Sequence, residues 1–178
     1  MKKPQIIIVD DHQIFRQSLK SIISVENIAT VIGEASNGAE FLNLLRYTRP
    51  DLVLMDLDMP EMNGLEATQK AFEIMPDIKI VAFTMFGDEE YFIKMIELGV
   101  KGYILKSSDI SELEKAIHVI MRGENYFSNS QFKKGSTSLA QKNKNRLNET
   151  KVESHNHNHN HNHNHKHKGD ANTYPQWF

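Results

Sequence analysis

The stretch of sequence that decides the fold runs from Val53 to Gly64 and is VLMDLDMPEMNG. An apolar run, Leu52–Met55, ends on Asp56, and a second acid, Asp58, follows two residues later. A proline and a glycine then turn the chain, because proline fixes φ and glycine tolerates backbone conformations that other residues avoid. A loop needs polar residues, but it does not need acids at the mouth of a buried segment. The stretch therefore predicts a strand with functional carboxylates at its carboxyl end.

Four further apolar runs of similar length occur along the chain, and none alternates apolar with polar residues. Continuous runs are typical of strands that are covered on both faces. Helical patterns, with apolar residues three or four positions apart, fill the gaps between the runs. Strand and helix repeated five times predict an α/β fold, a five-stranded parallel sheet with helices on both faces. The four runs are Gln5–Val9, Thr30–Ala35, Ile78–Phe83 and Gly102–Leu105.

Local signals predict where the last two helices begin and end. Asp88–Leu98 opens with three acids, which are favourable at a helix N-terminus, and Gly99 suits the C-terminal cap. Asp109 and Glu112 have the spacing of a capping box, which predicts the start of the last helix.

Composition changes sharply near residue 128, although the whole chain of 178 residues has an ordinary apolar content of 39% and a net charge of −2. Residues 129–178 contain nine apolar residues in fifty, which is too few to form a core, and carry +5 against −7 for residues 1–128. Seven of the nine histidines alternate with other residues in 155–168, as in an affinity tag or a low-complexity segment. We expect a folded domain over 1–128 and a disordered linker with a His-Asn-rich tail over 129–178.

The sequence also excludes several classes of protein. There is no cysteine, so neither a disulfide nor a thiolate metal site is available. The opening MKKPQIIIVDD has an apolar run of four residues, whereas a secretory signal needs about 7–15. No run approaches the length of a membrane span. The expectation is a cytoplasmic protein without membrane contact.

Polar side chains follow four of the five predicted strands. The first strand ends at Asp10 and Asp11, the third at Asp56, the fourth at Thr84 and the fifth at Lys106. Ligands bind at this edge of a parallel sheet, so three carboxylates, a hydroxyl and an ammonium are expected close together. Three close carboxylates repel unless a cation intervenes, and oxygen ligands without nearby His or Cys favour Mg²⁺. A carboxylate can also act as a nucleophile towards a phosphoryl group.

Four motifs that lie at these strand ends together resemble the receiver domain of two-component response regulators, over about residues 4–127. The motifs are VDDH (9–12), LMDLDMPEMNG (54–64), AFTM (82–85) and GYILK (102–106). The chain is most similar to receivers of regulators with a LuxR/NarL-type helix-turn-helix output domain. The resemblance implies a flavodoxin-like, doubly wound fold with strand order 2-1-3-4-5. It also implies a bacterial signalling domain, not an enzyme, that takes a phosphoryl group from a sensor histidine kinase and catalyses only its own phosphorylation and dephosphorylation.

The resemblance assigns the phosphoryl site residue by residue. Asp56 is the expected phosphoacceptor. Asp11 and Asp56 are expected to ligate Mg²⁺, with Asp10 assisting, in part through water. Asp58 is expected to contribute its backbone carbonyl.

The resemblance also implies how the signal leaves the site. Lys106 is expected to pair with a phosphoryl oxygen and Thr84 to move to hydrogen-bond the phosphate. Tyr103 is expected to change rotamer together with Thr84. This population shift would remodel the face formed by the fourth helix, fifth strand and fifth helix, with a phosphorylation-dependent homodimer as one outcome.

The sequence departs from many receivers at two positions. Ser107 stands where many receivers have a proline after a cis peptide bond, and the sequence leaves both isomers of the Lys106–Ser107 bond open. Met85 follows the switch threonine where many relatives have a small residue. A bulkier side chain there would slow the entry of water and lengthen the phosphorylated lifetime, which we treat as a hypothesis.

Two other classes of protein share some of these features. The Asp56-x-Asp58 pair suggests a Mg²⁺-dependent phosphatase of the haloacid dehalogenase kind, but that motif resembles DxDxT on a first strand, whereas this pair follows the third strand and Pro60 stands at the fifth position. A flavin carrier would need a phosphate-binding loop in place of DDHQIF. His12 is interpreted as a start-of-helix residue. No recognition helix follows residue 128, so no direct DNA readout is expected from this chain, although relatives bind DNA through an output domain.

Overall fold

The structure, a computed structural model, describes residues 2–85 and 87–128. In this part of the chain six strands form one parallel sheet in the order β2-β1-β3-β4-β5-β6. The strands are β1 (Gln5–Val9), β2 (Thr30–Ala35), β3 (Leu52–Met55), β4 (Ile80–Thr84), β5 (Gly102–Leu105) and β6 (Tyr126–Phe127). The helices are α1 (Gln13–Val25), α2 (Gly38–Leu44), α3 (Gly64–Ile74), α4 (Glu89–Leu98) and α5 (Ile110–Met121). Among the described residues, no helix has the length and apolar content needed to cross a membrane.

The predicted α/β fold, its five strands and the order 2-1-3-4-5 are confirmed. β4 starts two residues later than predicted, because the N–H of Ile78 donates to the Met75 carbonyl in the turn after α3. The sixth strand was missed, since two residues are too few to show a periodicity. It is held at the edge of β5 by the N–H of Tyr126, which donates to the Lys101 carbonyl at 2.8 Å. The expectation for 129–178 lies outside the described residues.

The core lies on both faces of the sheet, which explains why the strands are continuous apolar runs. Successive strand residues point to opposite faces. Ile7 and Val9 belong to the cluster packed with α2, α3 and α4, whereas Ile6 and Ile8 belong to the cluster packed with α1 and α5. All four side chains are buried, and burying one such side chain stabilises a fold by about 1.5–3 kcal/mol.

Most of the predicted helix ends are confirmed. The Asp88 carboxylate accepts the N–H of Glu90 at 2.8 Å at the start of α4, and Gly99 takes the left-handed conformation, with φ of 98°, at its end. Asp109 is the N-cap residue of α5, so the predicted start of this helix is confirmed. The predicted capping box is wrong, because the Asp109 side chain makes no capping hydrogen bond. Glu112 instead accepts a hydrogen bond from the Tyr126 hydroxyl at 3.4 Å, since β6 brings that ring beside α5.

Candidate functional site

Strand register brings the ends of β1 and β3 side by side. Val9 is aligned with Met55 across the parallel pair, so the residues that follow them emerge together at one edge of the sheet. The N–H of Asp56 donates to the Val9 carbonyl at 2.9 Å, which extends the ladder by one residue. The N–H of Asp10 donates to the Ala35 carbonyl at the end of β2, also at 2.9 Å. The main chains of both acids are therefore held by neighbouring strands.

The loop after β3 closes tightly onto that strand. The N–H of Gly64 donates to the Leu57 carbonyl at 3.0 Å. A Cβ on Gly64 would overlap the carbonyl oxygen of Asp56 and lie 2.8 Å from the Leu57 Cα, so only glycine fits here. Asp58 lies in this loop with its side chain exposed. The Asp58 carboxylate thus differs from that of Asp56, which is buried.

Three carboxylates and an imidazole converge at the edge of the sheet. Ligand atoms of Asp10, Asp11, His12 and Asp56 all lie within 4.8 Å of one another. Asp10 is 2% exposed and Asp56 is 4% exposed. Among the described residues, the buried Oδ1 of Asp11 lies 3.1 Å from His12 Nδ1. A donor set with three converging carboxylates fits a divalent cation that prefers oxygen ligands.

Lys106 supplies the positive charge of the site. Its Nζ lies 2.5 Å from Asp10 Oδ2 and 3.3 Å from Asp56 Oδ2, and its side chain is 3% exposed. Its backbone N–H donates to the Thr84 carbonyl at 2.7 Å, so the ends of β4 and β5 are tied together. No peptide bond among the described residues is cis, so the Lys106–Ser107 bond, which the sequence left open, is trans.

The electrostatics hold Asp56 close to a protonation change. The pKa of its carboxyl is raised from 3.8 to about 6, mainly by burial, with Lys106 lowering it and the charges of Asp10 and Asp11 raising it. One ammonium does not balance three carboxylates, so the site has a deficit of positive charge. A cation at this site would remove that deficit and favour the ionised, nucleophilic form of Asp56.

The two expected switch residues are buried on neighbouring strands. Thr84 ends β4, and Tyr103 lies fully buried in β5. The Tyr103 ring meets Phe92 of α4 edge to face, with centroids 5.0 Å apart. Burial raises the pKa of the Tyr103 phenol to about 12, with a smaller contribution from the negative charge of Asp88. The tyrosine is therefore a packed, neutral side chain in this state.

The structure brings together four of the predicted site residues and adds three others, of which sequence reasoning missed Phe15 and Arg16. His12 is the N-cap of α1, as interpreted, but its Nδ1 also lies 3.1 Å from Asp11 Oδ1. Arg16 donates to the Asp10 carbonyl, and its Nε lies 3.3 Å from Glu34 Oε1. Phe15 lies against Lys106. Phe15 and Arg16 follow the acid pair by about one helical turn, and this spacing was the available signal. The residues brought together are Asp10, Asp11, Asp56 and Lys106.

Residues 6–118 match the family model of the response regulator receiver domain, and the chain belongs to this family. Within it, the chain resembles regulators of the LuxR/NarL type. It is 40% identical over 119 residues to the nitrate/nitrite response regulator protein NarL of Escherichia coli K12, which is 67% of this chain and 55% of that protein. It is 41% identical over 115 residues to the uncharacterized transcriptional regulatory protein YhcZ of Bacillus subtilis strain 168, which is 65% of this chain and 54% of that protein.

A solved structure agrees with this assignment. The two-component response regulator of the LuxR family from Aurantimonas sp. SI85-9A1 superposes with a TM-score of 0.73 at 33% identity, covering 78% of this chain and 99% of that one. The chain spans about half the length of the curated relatives that it matches. The predicted receiver domain and its kinship with LuxR/NarL-type regulators are confirmed.

Proposed function

We propose that this chain takes a phosphoryl group on Asp56 from the phosphohistidine of a sensor histidine kinase and thereby controls transcription in the full-length regulator. One observation carries the proposal: the buried Asp56 carboxylate lies 3.3 Å from the Lys106 ammonium, inside a carboxylate cluster suited to a cation. The exchange belongs in the cytoplasm, where ATP charges the kinase.

The transfer is a substitution at phosphorus. An Asp56 carboxylate oxygen forms the new P–O bond while the P–N bond to the kinase histidine breaks, and the imidazole nitrogen leaves with its electron pair. Lys106 offsets charge on the phosphoryl oxygens. Mg²⁺, held by Asp10, Asp11 and Asp56 with the backbone carbonyl of Asp58, would supply further neutralisation. The protein catalyses only its own phosphorylation and its own dephosphorylation, in which water takes up the phosphoryl group, so it acts as a switch and not as an enzyme.

The conformational change that we expect on phosphorylation begins at residues next to Lys106. The Thr84 carbonyl accepts the backbone N–H of Lys106, which supports a coupling in which the Thr84 hydroxyl responds to a group on Asp56. Movement of Thr84 would free space beside Tyr103 and shift the population of states on the face of α4, β5 and α5. A homodimer formed through that face on phosphorylation would present two output domains together.

The phosphatase alternative loses its physical basis at Asp58. An enzyme that used Asp56 and Asp58 as a catalytic pair would need both carboxylates in one pocket. The Asp58 side chain is exposed, whereas Asp56 is buried. The geometry therefore supports the acceptor function and not the hydrolase.

The test uses beryllofluoride, a phosphoryl mimic, with Mg²⁺. We expect saturable binding, abolished by Asp56→Asn and retained by Asp77→Asn, which removes the same charge from an exposed position after α3. Binding is followed by ¹⁹F NMR and oligomeric state by light scattering. Binding that survives Asp56→Asn would overturn the proposal. A monomer that binds the mimic but never dimerises would overturn the dimer alone.

We also propose that the folded domain ends at residue 128. Tyr126 and Phe127 still pair with β5, which supports a boundary just after them. A fragment of residues 1–128 should unfold at the same urea midpoint as the whole chain, followed by circular dichroism. A midpoint lowered by more than about 0.5 M urea would place the boundary further along the chain. That shift corresponds to a loss of roughly 1 kcal/mol in the free energy of unfolding at an m-value of about 2 kcal/mol/M.

A further inference from the structure

The Lys106 ammonium has a third neighbour besides the two carboxylates. Its Nζ lies over the ring of Phe15, 4.7 Å from the ring centroid. This is within the roughly 6 Å over which the negative face of an aromatic ring attracts a cation. The lysine side chain is 3% exposed, so little water competes with the ring. The contact is therefore of the desolvated kind, in which this attraction is strongest.

Other contacts hold the ring in place. Phe15 lies on α1, four residues after Asp11, and its ring packs against Phe83 of β4 with centroids 5.9 Å apart and planes at 41°. Phe83 immediately precedes Thr84. A cavity of about 150 Å³ borders Phe15, Phe83 and Lys106.

We propose that Phe15 is a positioning residue for phosphoryl transfer, and that its ring holds the Lys106 ammonium in place once a cation occupies the carboxylates. The proposal rests on the proposed function of Asp56. The ion-pair partners of Lys106, Asp10 and Asp56, are the same carboxylates that fit a divalent cation. A cation on those oxygens weakens their attraction for the ammonium, whereas the ring has no such competitor. The ring thus keeps the ammonium beside the acceptor when its other contacts weaken.

Two substitutions separate the electrostatic role of the ring from its packing. Phe15→Leu keeps an apolar side chain and removes the aromatic face, whereas Phe15→Tyr keeps the face. We expect Phe15→Leu to bind beryllofluoride in saturating Mg²⁺ about threefold to thirtyfold more weakly than the parent, and Phe15→Tyr to bind within about twofold of it. Phe15→Met takes the place of Phe15→Leu if that variant does not fold. Equal affinity of parent and Phe15→Leu would overturn the inference.

A double-mutant cycle tests the contact without any ligand. The parent, Phe15→Leu, Lys106→Met and the double variant are unfolded in urea, and the folding constants are compared. We expect Phe15→Leu to lower the folding constant in both backgrounds. The factor by which it falls should be about threefold to thirtyfold smaller in the Lys106→Met background than in the parent. Ile23→Ala is the matched control, because Ile23 is buried on the same helix but does not border this cavity, and it should therefore act additively with Lys106→Met. Equal losses for Phe15→Leu in both backgrounds would show that the ring only packs.

The outcomes distinguish failure of this inference from failure of the proposed function. If the parent binds no beryllofluoride, or if Asp56→Asn binds it as the parent does, the proposed function and the positioning role both fail. If the parent binds and Asp56→Asn does not, but Phe15→Leu binds as tightly as the parent, only the positioning role fails.

Discussion

Replacing Asp56 by asparagine should stabilise the cation-free domain, and increasingly so as the pH rises. Asp56 is 4% exposed, and burial raises its pKa from 3.8 to about 6 even with Lys106 3.3 Å away. Because the pKa is higher in the folded state, the unfolded chain releases this proton first. The contribution of Asp56 to stability is therefore full below about pH 4 and is lost as the pH rises through about 6.

The size of the effect follows from the pKa shift. About two pKa units correspond to about 3 kcal/mol between the two protonation states, reached near pH 8. Linkage makes this difference smallest near pH 4 and about half of its full size near pH 5. Asparagine resembles the protonated carboxyl in shape and charge. The difference in free energy of unfolding between Asp56→Asn and the parent should therefore trace the titration of Asp56.

The assay is urea unfolding by circular dichroism at five pH values from 4 to 8, with EDTA to remove divalent cations. Glu73→Gln, which removes a charge from an exposed side chain of α3, controls for the general effect of net charge. Adding Mg²⁺ at a hundredfold excess over its Kd should stabilise the parent by about 2.7 kcal/mol and Asp56→Asn by much less. The reasoning is refuted if the difference between variant and parent is constant from pH 4 to 8, or if Asp56→Asn is the less stable protein at pH 8 without cation.

Three further predictions concern packing around the site. Gly64→Ala should lower the free energy of unfolding by more than about 2 kcal/mol, and by more than Gly38→Ala does. A Cβ at residue 64 would meet backbone atoms, whereas a Cβ at residue 38 would meet side chains of α3 and of the loop before it. Equal losses of stability in urea would contradict this. Phe127→Leu should cost about 1 kcal/mol, since the Phe127 ring meets Phe92 edge to face at 6.1 Å, and an unchanged unfolding midpoint would remove β6 from the cooperative fold. Met85→Ala should shorten the lifetime of the phosphorylated protein, because the Met85 side chain, which is 57% exposed and directly follows Thr84, would slow the entry of water. Equal decay rates of the parent and the variant would contradict this hypothesis.

The order of the sheet could be predicted because it depends on local patterns. Continuous apolar runs show that a strand is covered on both faces, and the helices between them require right-handed parallel crossovers. Polar residues directly after the runs then fall at one edge of the sheet. For this reason the neighbourhood of Asp10, Asp56 and Lys106 followed from the sequence. The short β6 and the contact between Glu112 and Tyr126 did not, because they join segments with no pattern of their own.

The sequence by itself determined which residues stand at the strand ends, and therefore the identity of the acids, the lysine and the threonine at the site. Only the tertiary structure decided how they differ from one another. Asp58 looks equivalent to Asp56 in VLMDLDMPEMNG, yet one carboxylate is exposed and the other is buried beside Lys106. Phe15 likewise looks like one more core residue of α1 until the fold places its ring under the ammonium. The surroundings of these three side chains arise from elements distant in the chain, so the residues next to them in the sequence do not show which carboxylate is buried or which ring meets the ammonium.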